Sequence, residues 1–597
     1  MTKQEILQNK EQLDMLMYQR RYNEADVLCN RLLEITDSYE GEVLGDAYKC
    51  IKLELAQIYA SIVIETNKCA LISEALHRLD LAGADSYSVF LKARLFWIQQ
   101  KYFVALTLLE NYFKVEIKAD KVEFGADSPY WQLNAGTKEL VLNLLAHGYK
   151  FYGETSLASV LCLESFNVAE FFPTKVFEYC NYLFNAHYLF MPREKYWQAH
   201  LKFDELFKNV KKFKHKKYLH KKHKKIRLGY ISPDFRHHVV LLFIWAMLTQ
   251  YDRDRFEVYC FYNNAREDQY SEHIKKNITG WFNISALSFK QAADVIYKQE
   301  IDILVELAGH SQHNCLPILA YKPAPIQVCG IGYFATTGLR TIDYFLSDSY
   351  LARSNIESGD IVVSDEVQIA DSDWFVERLL VLPHSHFCYV PLKDMPEPKE
   401  APCKQNGYIT FGSFNNLTKV NDNVLQIWVA ILQCVPESRL LLKGSLLGDE
   451  QGRELIRQKL LSLGLSENRF ELRGFSEPYL TEYYDMDIAL DTFPYPGGGT
   501  TCDALYMGVP VITLGDGSHG GNFGVSLLRN IGMDFCCAYS FEEYVEKAVQ
   551  LSSDMDLLNA LHLGLRNMMQ SSPVMDKKKY MRELESGYQH IFARYLI

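Results

Sequence analysis

The sequence predicts an α + α/β protein, a helical N-terminal third followed by two successive α/β halves. Three observations carry this expectation. From residue 1 to about 205, apolar residues recur at three- and four-residue spacings with little alternation of β-branched residues. Beyond residue 225, short apolar runs alternate with helical stretches, the texture of strands joined by crossover helices. A proline- and charge-rich passage, VPLKDMPEPKEAPCKQNG (390–407), divides that texture into two series. A chain of 597 residues is too long for one ordinary domain, and its 48% hydrophobic and 23% charged content is that of a globular protein folded nearly throughout.

Residues 1–205 read as a helical domain. Within it RRYNEADVLCNRLLEI (20–35) and QKYFVALTLLENYFKV (100–115) share a tyrosine, a small residue and then leucines at helical spacing, and FYGETSLASVLCLESF (151–166) is a looser third copy. The intervals of 80 and about 50 residues make this an irregular tetratricopeptide-like array, since the regular period is about 34. An ordinary helical bundle is the alternative.

A basic joint follows at 206–224. The formal charge of the chain is −11, yet Lys208–Arg227 holds ten lysines, one arginine and no acid, which leaves about −22 for the rest. A nucleic-acid partner calls for a broad basic face, so one short run in an acidic chain argues against it. The run reads as a solvated joint; peripheral contact with an anionic membrane surface or with an acidic acceptor peptide is the alternative.

The first α/β half (225–390) carries the strand candidates KIRLGYIS (225–232), FEVYCFYNN (256–264), DILVELAG (302–309), IQVCGIGY (326–333) and DYFLSD (343–348). A linker at 391–406 leads to the second half (407–597), with YITFGSFN (408–415), SRLLLKG (438–444), RFELRGF (469–475), MDIALDTF (486–493) and VPVITLG (509–515), closed by C-terminal helices. Two such halves imply two facing domains of the nucleotide-binding type, with a ligand cleft at the carboxyl ends of their strands. The polar stretch MTKQEILQNK lacks a signal-peptide core, and the longest apolar run, Val239–Leu248, is about half a membrane span. Fourteen cysteines form neither a CxxC pair nor a disulfide-framework spacing. These features lead us to expect a cytoplasmic chain with reduced thiols, and the sequence does not fix its oligomeric state.

The stretch DTFPYPGGGTTCDALYMGVPVITLG (491–515) orders strand, Gly-rich loop, helix and strand, with Gly508 ending the helix. The free N–H groups and positive dipole end of that helix face the loop. Glycines there let a phosphate approach the backbone. Thr500 and Thr501 either cap the helix or add hydroxyl donors.

With this stretch, SPDFRHH (232–238), ELAGHSQHNCLPILAYKPAPIQVCGIGYFATTGL (306–339), LPHSHFCY (382–389) and GSFNNLTKVND (412–422) resemble the O-linked N-acetylglucosamine transferase family, and within it the bacterial members and the Spindly-like fucosyltransferases. The resemblance runs in order over about 225–555. It implies a GT-B fold of two Rossmann-like domains, the first on the acceptor side and the second on the nucleotide-sugar side, and an inverting transfer to a protein side chain. The helical third stands where relatives carry tetratricopeptide repeats for acceptors and partners.

By position in these motifs, the resemblance implies that Asn416 and Lys419 contact the donor diphosphate. Gly498, Gly499, Thr500, Thr501 and Asp503 hold the donor, Asp503 through the ribose hydroxyls. His238 sits at the cleft near the acceptor, and with Lys419 it is the catalytic candidate; imidazole is the usual acceptor of a hydroxyl proton. His310 and His313 flank the cleft-side segment after DILVELAG and are either acceptor-side candidates or packed polar groups. Tyr479 stands where relatives commonly place a base-stacking histidine, and Asn522 where bacterial relatives often have arginine, while His519 keeps its place on the donor side. No metal cluster is apparent, and the implied reaction needs no metal or cofactor beyond the donor, UDP-GlcNAc or UDP-glucose, with Ser or Thr of a protein as acceptor. Transfer to asparagine, transfer from GDP-fucose, and a catalytically silent interaction protein are the rivals.

Overall fold

A computed structural model describes residues 3–38, 45–83, 85–118, 121–220, 222–352 and 366–597. Lys221 of the basic run lies outside them, as do the side chains of Tyr218 and Leu219. The chain divides into two compact units, Met1–Glu178 and Tyr179–Ile597.

The first unit is built of helices α1 (Lys3–Tyr18), α2 (Tyr22–Ser38), α3 (Gly45–Thr66), α4 (Ile72–Ala82), α5 (Ser86–Ile98), α6 (Tyr102–Phe113), α7 (Ala135–Phe151) and α8 (Thr155–Val168), each packed on its neighbours in sequence. The three repeat copies fall on α2, α6 and α8, the second helices of pairs. Each copy contains a residue with left-handed backbone just before its helix: Arg20 (φ 57°), Gln100 (φ 61°) and Gly153 (φ 85°). What the copies share is therefore a turn and the helix that folds back from it. Gly148 of α7 lets Leu106 of α6 approach so closely that a Cβ there would lie 2.8 Å from it. The segment is not all-helical, as the spacing had suggested. Lys114 turns left-handed (φ 51°) and ends α6, and VEIK and KVEF form an antiparallel hairpin, β1 (Val115–Lys118) and β2 (Lys121–Phe124).

Helix α9 (Phe172–Ala186) spans the division, and α10 (Arg193–Glu205) belongs to the second unit rather than to the helical one. The rest of the second unit is two sheets. The first contains β3 (Ile226–Ser232), β4 (Phe256–Tyr262), β5 (Gly280–Asn283), β6 (Ile303–Glu306), β7 (Ile326–Cys329), β8 (Tyr344–Asp348), β9 (Gln368–Ala370) and β10 (Arg378–Leu382), in the order β5-β4-β3-β6-β7-β8-β10-β9. Only β9 runs antiparallel. The second contains β11 (Thr410–Ser413), β12 (Arg439–Lys443), β13 (Phe470–Arg473), β14 (Ile488–Leu490), β15 (Val511–Leu514) and β16 (Cys537–Ala538), all parallel, in the order β13-β12-β11-β14-β15-β16. Central strands such as β6, β7 and β15 are buried at every position, as expected where helices cover both faces.

In each sheet the chain builds outward from one strand and then reverses. The reversal falls between β3 and β6 in the first sheet and between β11 and β14 in the second. At such a point the loops leaving adjacent strands diverge and open a crevice at their carboxyl ends. The halves are further tied by the C-terminal helix (Lys577–Leu596), which returns from the second half to pack on β7 and β10. The backbone N–H of Asp252 donates to Glu585 Oε1 at 2.7 Å, and Tyr580 donates to the His386 carbonyl at 3.2 Å. The last helix therefore belongs structurally to the first half, a crossing that chain order alone does not reveal.

Candidate active site

The loops leaving β3, β6, β11 and β14, the four reversal strands, carry most of the residues singled out from sequence. After β3 the SPDFRHH loop turns at Asp234, whose backbone N–H donates to Ser232 Oγ at 3.0 Å. His238 follows, just before the helix Leu241–Thr249. Its Nδ1 lies 3.3 Å from the Val240 N–H and 3.5 Å from Asp234 Oδ1, and no hydrogen bond among the described residues reaches Nε2. Burial lowers the imidazole's pKa, opposed by the Asp234 carboxylate, so the ring is neutral near pH 7. Asp234 is itself raised by burial, with His238 and His313 acting against the rise. His313 leaves the β6 loop with left-handed backbone (φ 61°) and is exposed; the Asp234 charge links it to His238.

His310 is elsewhere. It is 1% exposed, its Nε2–H donates to the Thr337 carbonyl at 2.9 Å, and its Nδ1 faces the Cys180 thiol at 3.2 Å. Phe203 and Tyr333 pack on its ring. It is a core residue with no face to offer an acceptor, so of the two readings open from sequence the structure favours the packed polar group over the acceptor-side candidate.

On the second half, β11 ends in Asn415 and Asn416 and a short turn of helix, Leu417–Lys419. Asn416 is exposed and caps that turn by accepting from the Thr418 N–H at 3.1 Å. Lys419 Nζ donates to the Pro496 carbonyl at 2.8 Å and sits 4.5 Å from the centre of the Tyr495 ring. Burial brings its pKa down to about 8, against the pull of Asp491.

The Gly-rich loop follows β14. Helix Gly499–Tyr506 begins at Gly499 with Gly498 before it, so Thr500 and Thr501 lie inside the first turn and cap nothing. Thr500 Oγ1 instead donates to Asn415 Oδ1 at 2.8 Å. Asp491, at the end of β14, organises the loop. It accepts from Gly497 N at 2.6 Å, from Thr492 N at 2.9 Å and from Thr513 Oγ1 at 2.9 Å, and burial raises its pKa to about 6. Neither Asn415 nor Asp491 was singled out from sequence, although both stand at strand ends beside the motifs that were. The first N–H groups of the helix, from Gly499, Thr500 and Thr501, have no intrahelical acceptor and form an anion-binding end. The bare backbone also lets the halves meet, since a Cβ on Gly499 would fall 2.5 Å from Val239 Cγ2, next to His238.

Asp503 is buried, and both of its oxygens are engaged: Tyr389 OH donates to Oδ1 at 2.8 Å and Tyr479 OH to Oδ2 at 2.5 Å. Lys393, from the linker, donates to the Tyr479 hydroxyl and lies 4.1 Å over its ring. Each carboxylate oxygen keeps a further lone pair, so a ribose hydroxyl that meets Asp503 shares it with the tyrosines.

His519 is 3% exposed and holds position rather than donor. Ser347 Oγ donates to its Nε2 at 3.0 Å, and its Nδ1–H donates to the Phe334 carbonyl at 3.0 Å. Burial takes its pKa down to about 3. It thus ties the loop after β15 to the loop after β7. Asn522 closes the same loop by accepting from Gly517 N at 3.2 Å. Beside these residues lies a cavity of about 290 Å³, walled by Tyr196, Trp197, Phe334, Trp374 and His519.

Comparison with known proteins agrees with this architecture. Residues 198–384 and 402–584 match glycosyl transferase family 41. A tomato (Solanum lycopersicum) protein described as a probable UDP-N-acetylglucosamine–peptide N-acetylglucosaminyltransferase, SPINDLY, is 38% identical over 375 residues, which are 62% of this chain and 39% of that protein. The Arabidopsis thaliana protein of the same description, SEC, is 28% identical over 378 residues, 61% of this chain and 37% of that one. This chain thus matches about two-fifths of the length of these relatives. A solved variant of the Thermobaculum terrenum O-GlcNAc transferase superposes with a TM-score of 0.77 at 24% identity, covering 92% of this chain and 98% of that one, and shares the fold. With the family match covering the strands of both sheets and more than half of the sequence, the chain belongs to glycosyl transferase family 41.

Proposed function

We propose that this chain is an inverting protein glycosyltransferase that moves N-acetylglucosamine from UDP to the hydroxyl of a serine or threonine. The observation that carries this reading is the pairing across one cleft of a neutral imidazole, His238, with a half-buried ammonium and a Gly-loop helix start, Lys419 and Gly499–Thr501. The descriptions of the plant relatives support the donor and acceptor classes.

In this reading the acceptor oxygen attacks the anomeric carbon opposite the diphosphate. The carbon–oxygen bond to the diphosphate breaks as the new one forms, which inverts the configuration. The acceptor proton passes to the neutral imidazole of His238, and the Asp234 carboxylate, 3.5 Å from Nδ1, stabilises the imidazolium that forms. Negative charge gathers on the departing UDP, where Lys419 and the first N–H groups of the helix meet it. These groups balance the charge without a divalent ion, so turnover is expected to be unchanged by EDTA. The test is transfer of labelled sugar from UDP-GlcNAc to protein acceptors, with the linkage read by mass spectrometry. Label on serine or threonine supports the proposal. Label on asparagine, or label from GDP-fucose alone, assigns the chain to one of the other chemistries.

A further inference from the structure

The basic run does not behave as a loose joint. Its backbone is fastened at intervals to the first α/β half. Phe213 N–H donates to the Tyr321 carbonyl at 2.9 Å, and the Phe213 ring stacks on Tyr297 at 4.3 Å. Tyr297 OH donates to the Lys214 carbonyl at 2.9 Å, and His215 Nε2 to that of Lys322 at 2.8 Å. His220 and His223 then close on Asp302, with Nδ1 to carboxylate distances of 2.6 Å and 2.9 Å, while Arg227 N–H donates to the same carboxylate at 2.8 Å. These two imidazoles and the carboxylate have the donor set of a metal site. The contacts are hydrogen bonds, however, and they satisfy the fully buried Asp302, so the cluster is explained as a clasp.

The anchoring residues share one location. Asp302 precedes β6, Lys322 precedes β7, Arg227 lies at the start of β3, and Tyr297 ends the helix Phe289–Lys298. All lie at the amino ends of the parallel strands, the edge opposite the cleft. Next to these anchors Lys211, Lys212, Lys214, Lys216 and Lys224 are exposed, and among the described residues none forms an ion pair. Fixing uncompensated like charges side by side costs stability through mutual repulsion, and an anionic surface relieves that cost.

We propose that this strip docks the protein on an anionic membrane surface. Three features select that partner. An acidic acceptor bound at this edge does not reach the cleft, whereas a bilayer there leaves the cleft facing away from it. The run is lysine with a single arginine, giving mobile point charges suited to a fluid sheet of headgroups rather than bidentate contacts to fixed phosphates or bases. Among the described side chains of the run, the Phe213 ring is stacked inward on Tyr297 and is not presented as a platform for bases.

The test is co-sedimentation of the full chain with vesicles of phosphatidylcholine alone and of phosphatidylcholine with phosphatidylglycerol. We expect binding to the anionic vesicles only, falling steeply with added salt. Replacing Lys211, Lys212, Lys214 and Lys216 together by Gln should weaken it at least tenfold, while the same positions as Arg retain it. Donor affinity should be unchanged in both variants, and without vesicles the Gln variant, relieved of the repulsion, should unfold at a temperature no lower than the wild type and the Arg variant. Equal binding to neutral vesicles, or undiminished binding by the Gln variant, overturns the proposal. So does tighter binding to a single-stranded oligonucleotide than to anionic vesicles at the same salt, which would reassign the strip to nucleic acid.

Discussion

Lys419 is the residue on which the chemistry turns. Replacing it with Ala should lower turnover by at least a hundredfold, the scale of losing one preorganised charge-stabilising group, about 2.7 to 4 kcal/mol, without loss of fold. Its pKa of about 8 also fixes a pH dependence. A bound diphosphate favours the protonated amine, so the free protein must take up a proton to bind donor once the pH exceeds about 8. Donor affinity should therefore hold below pH 8 and fall above it, by up to tenfold per pH unit, as measured by calorimetry across pH 6.5 to 9.5. The Lys419→Ala variant should lack that slope. Lys419 and the glycines were legible in the sequence because SFNNLTK and GGGTT are contiguous. Asn415 and Asp491 were not, since an Asn or Asp at a strand end looks alike whether it organises a loop or faces water. The burial of His310 and His519 was not legible for a related reason: it is decided by Cys180, Thr337, Ser347 and Phe334, distant in sequence.

At the scale of elements, the Gly-loop helix is held against the loop after β3 by an absent side chain. A Cβ at Gly499 meets Val239 Cγ2 at 2.5 Å. Gly499→Ala should push the two loops apart and cut turnover at least tenfold, and Val239→Ala in the same chain should restore most of it. The rescue distinguishes a steric wedge from a general weakening of the loop. Gly508, which ends the helix, has φ +91° and would place a Cβ 2.2 Å from the His562 carbonyl oxygen. Gly508→Ala should cost about 2 to 3 kcal/mol in denaturant unfolding. The core strands were legible because apolar runs bounded by turn residues have few other readings. The hairpin at 115–124 was not, because the helical copy QKYFVALTLLENYFKV runs straight into it and each strand is only four residues long.

At the scale of the molecule, both sheets reverse direction at the strand pairs whose loops form the site, so one topological rule gathers His238, Lys419 and the Gly-rich loop from across some 260 residues. The sequence order of strands announced two halves. The crossing of the C-terminal helix back to β7 and β10 needed the structure, because its apolar face carries no label for the sheet it covers. The most direct test of the account is calorimetric titration of the wild-type chain and of Lys419→Ala with UDP-GlcNAc, UDP-glucose, UDP-galactose and GDP-fucose. The account predicts saturable binding of UDP-GlcNAc by the wild type, in preference to the other donors, and weaker binding by the variant. Folded wild-type protein that binds none of the four, or a variant that binds UDP-GlcNAc as tightly as the wild type, would contradict it.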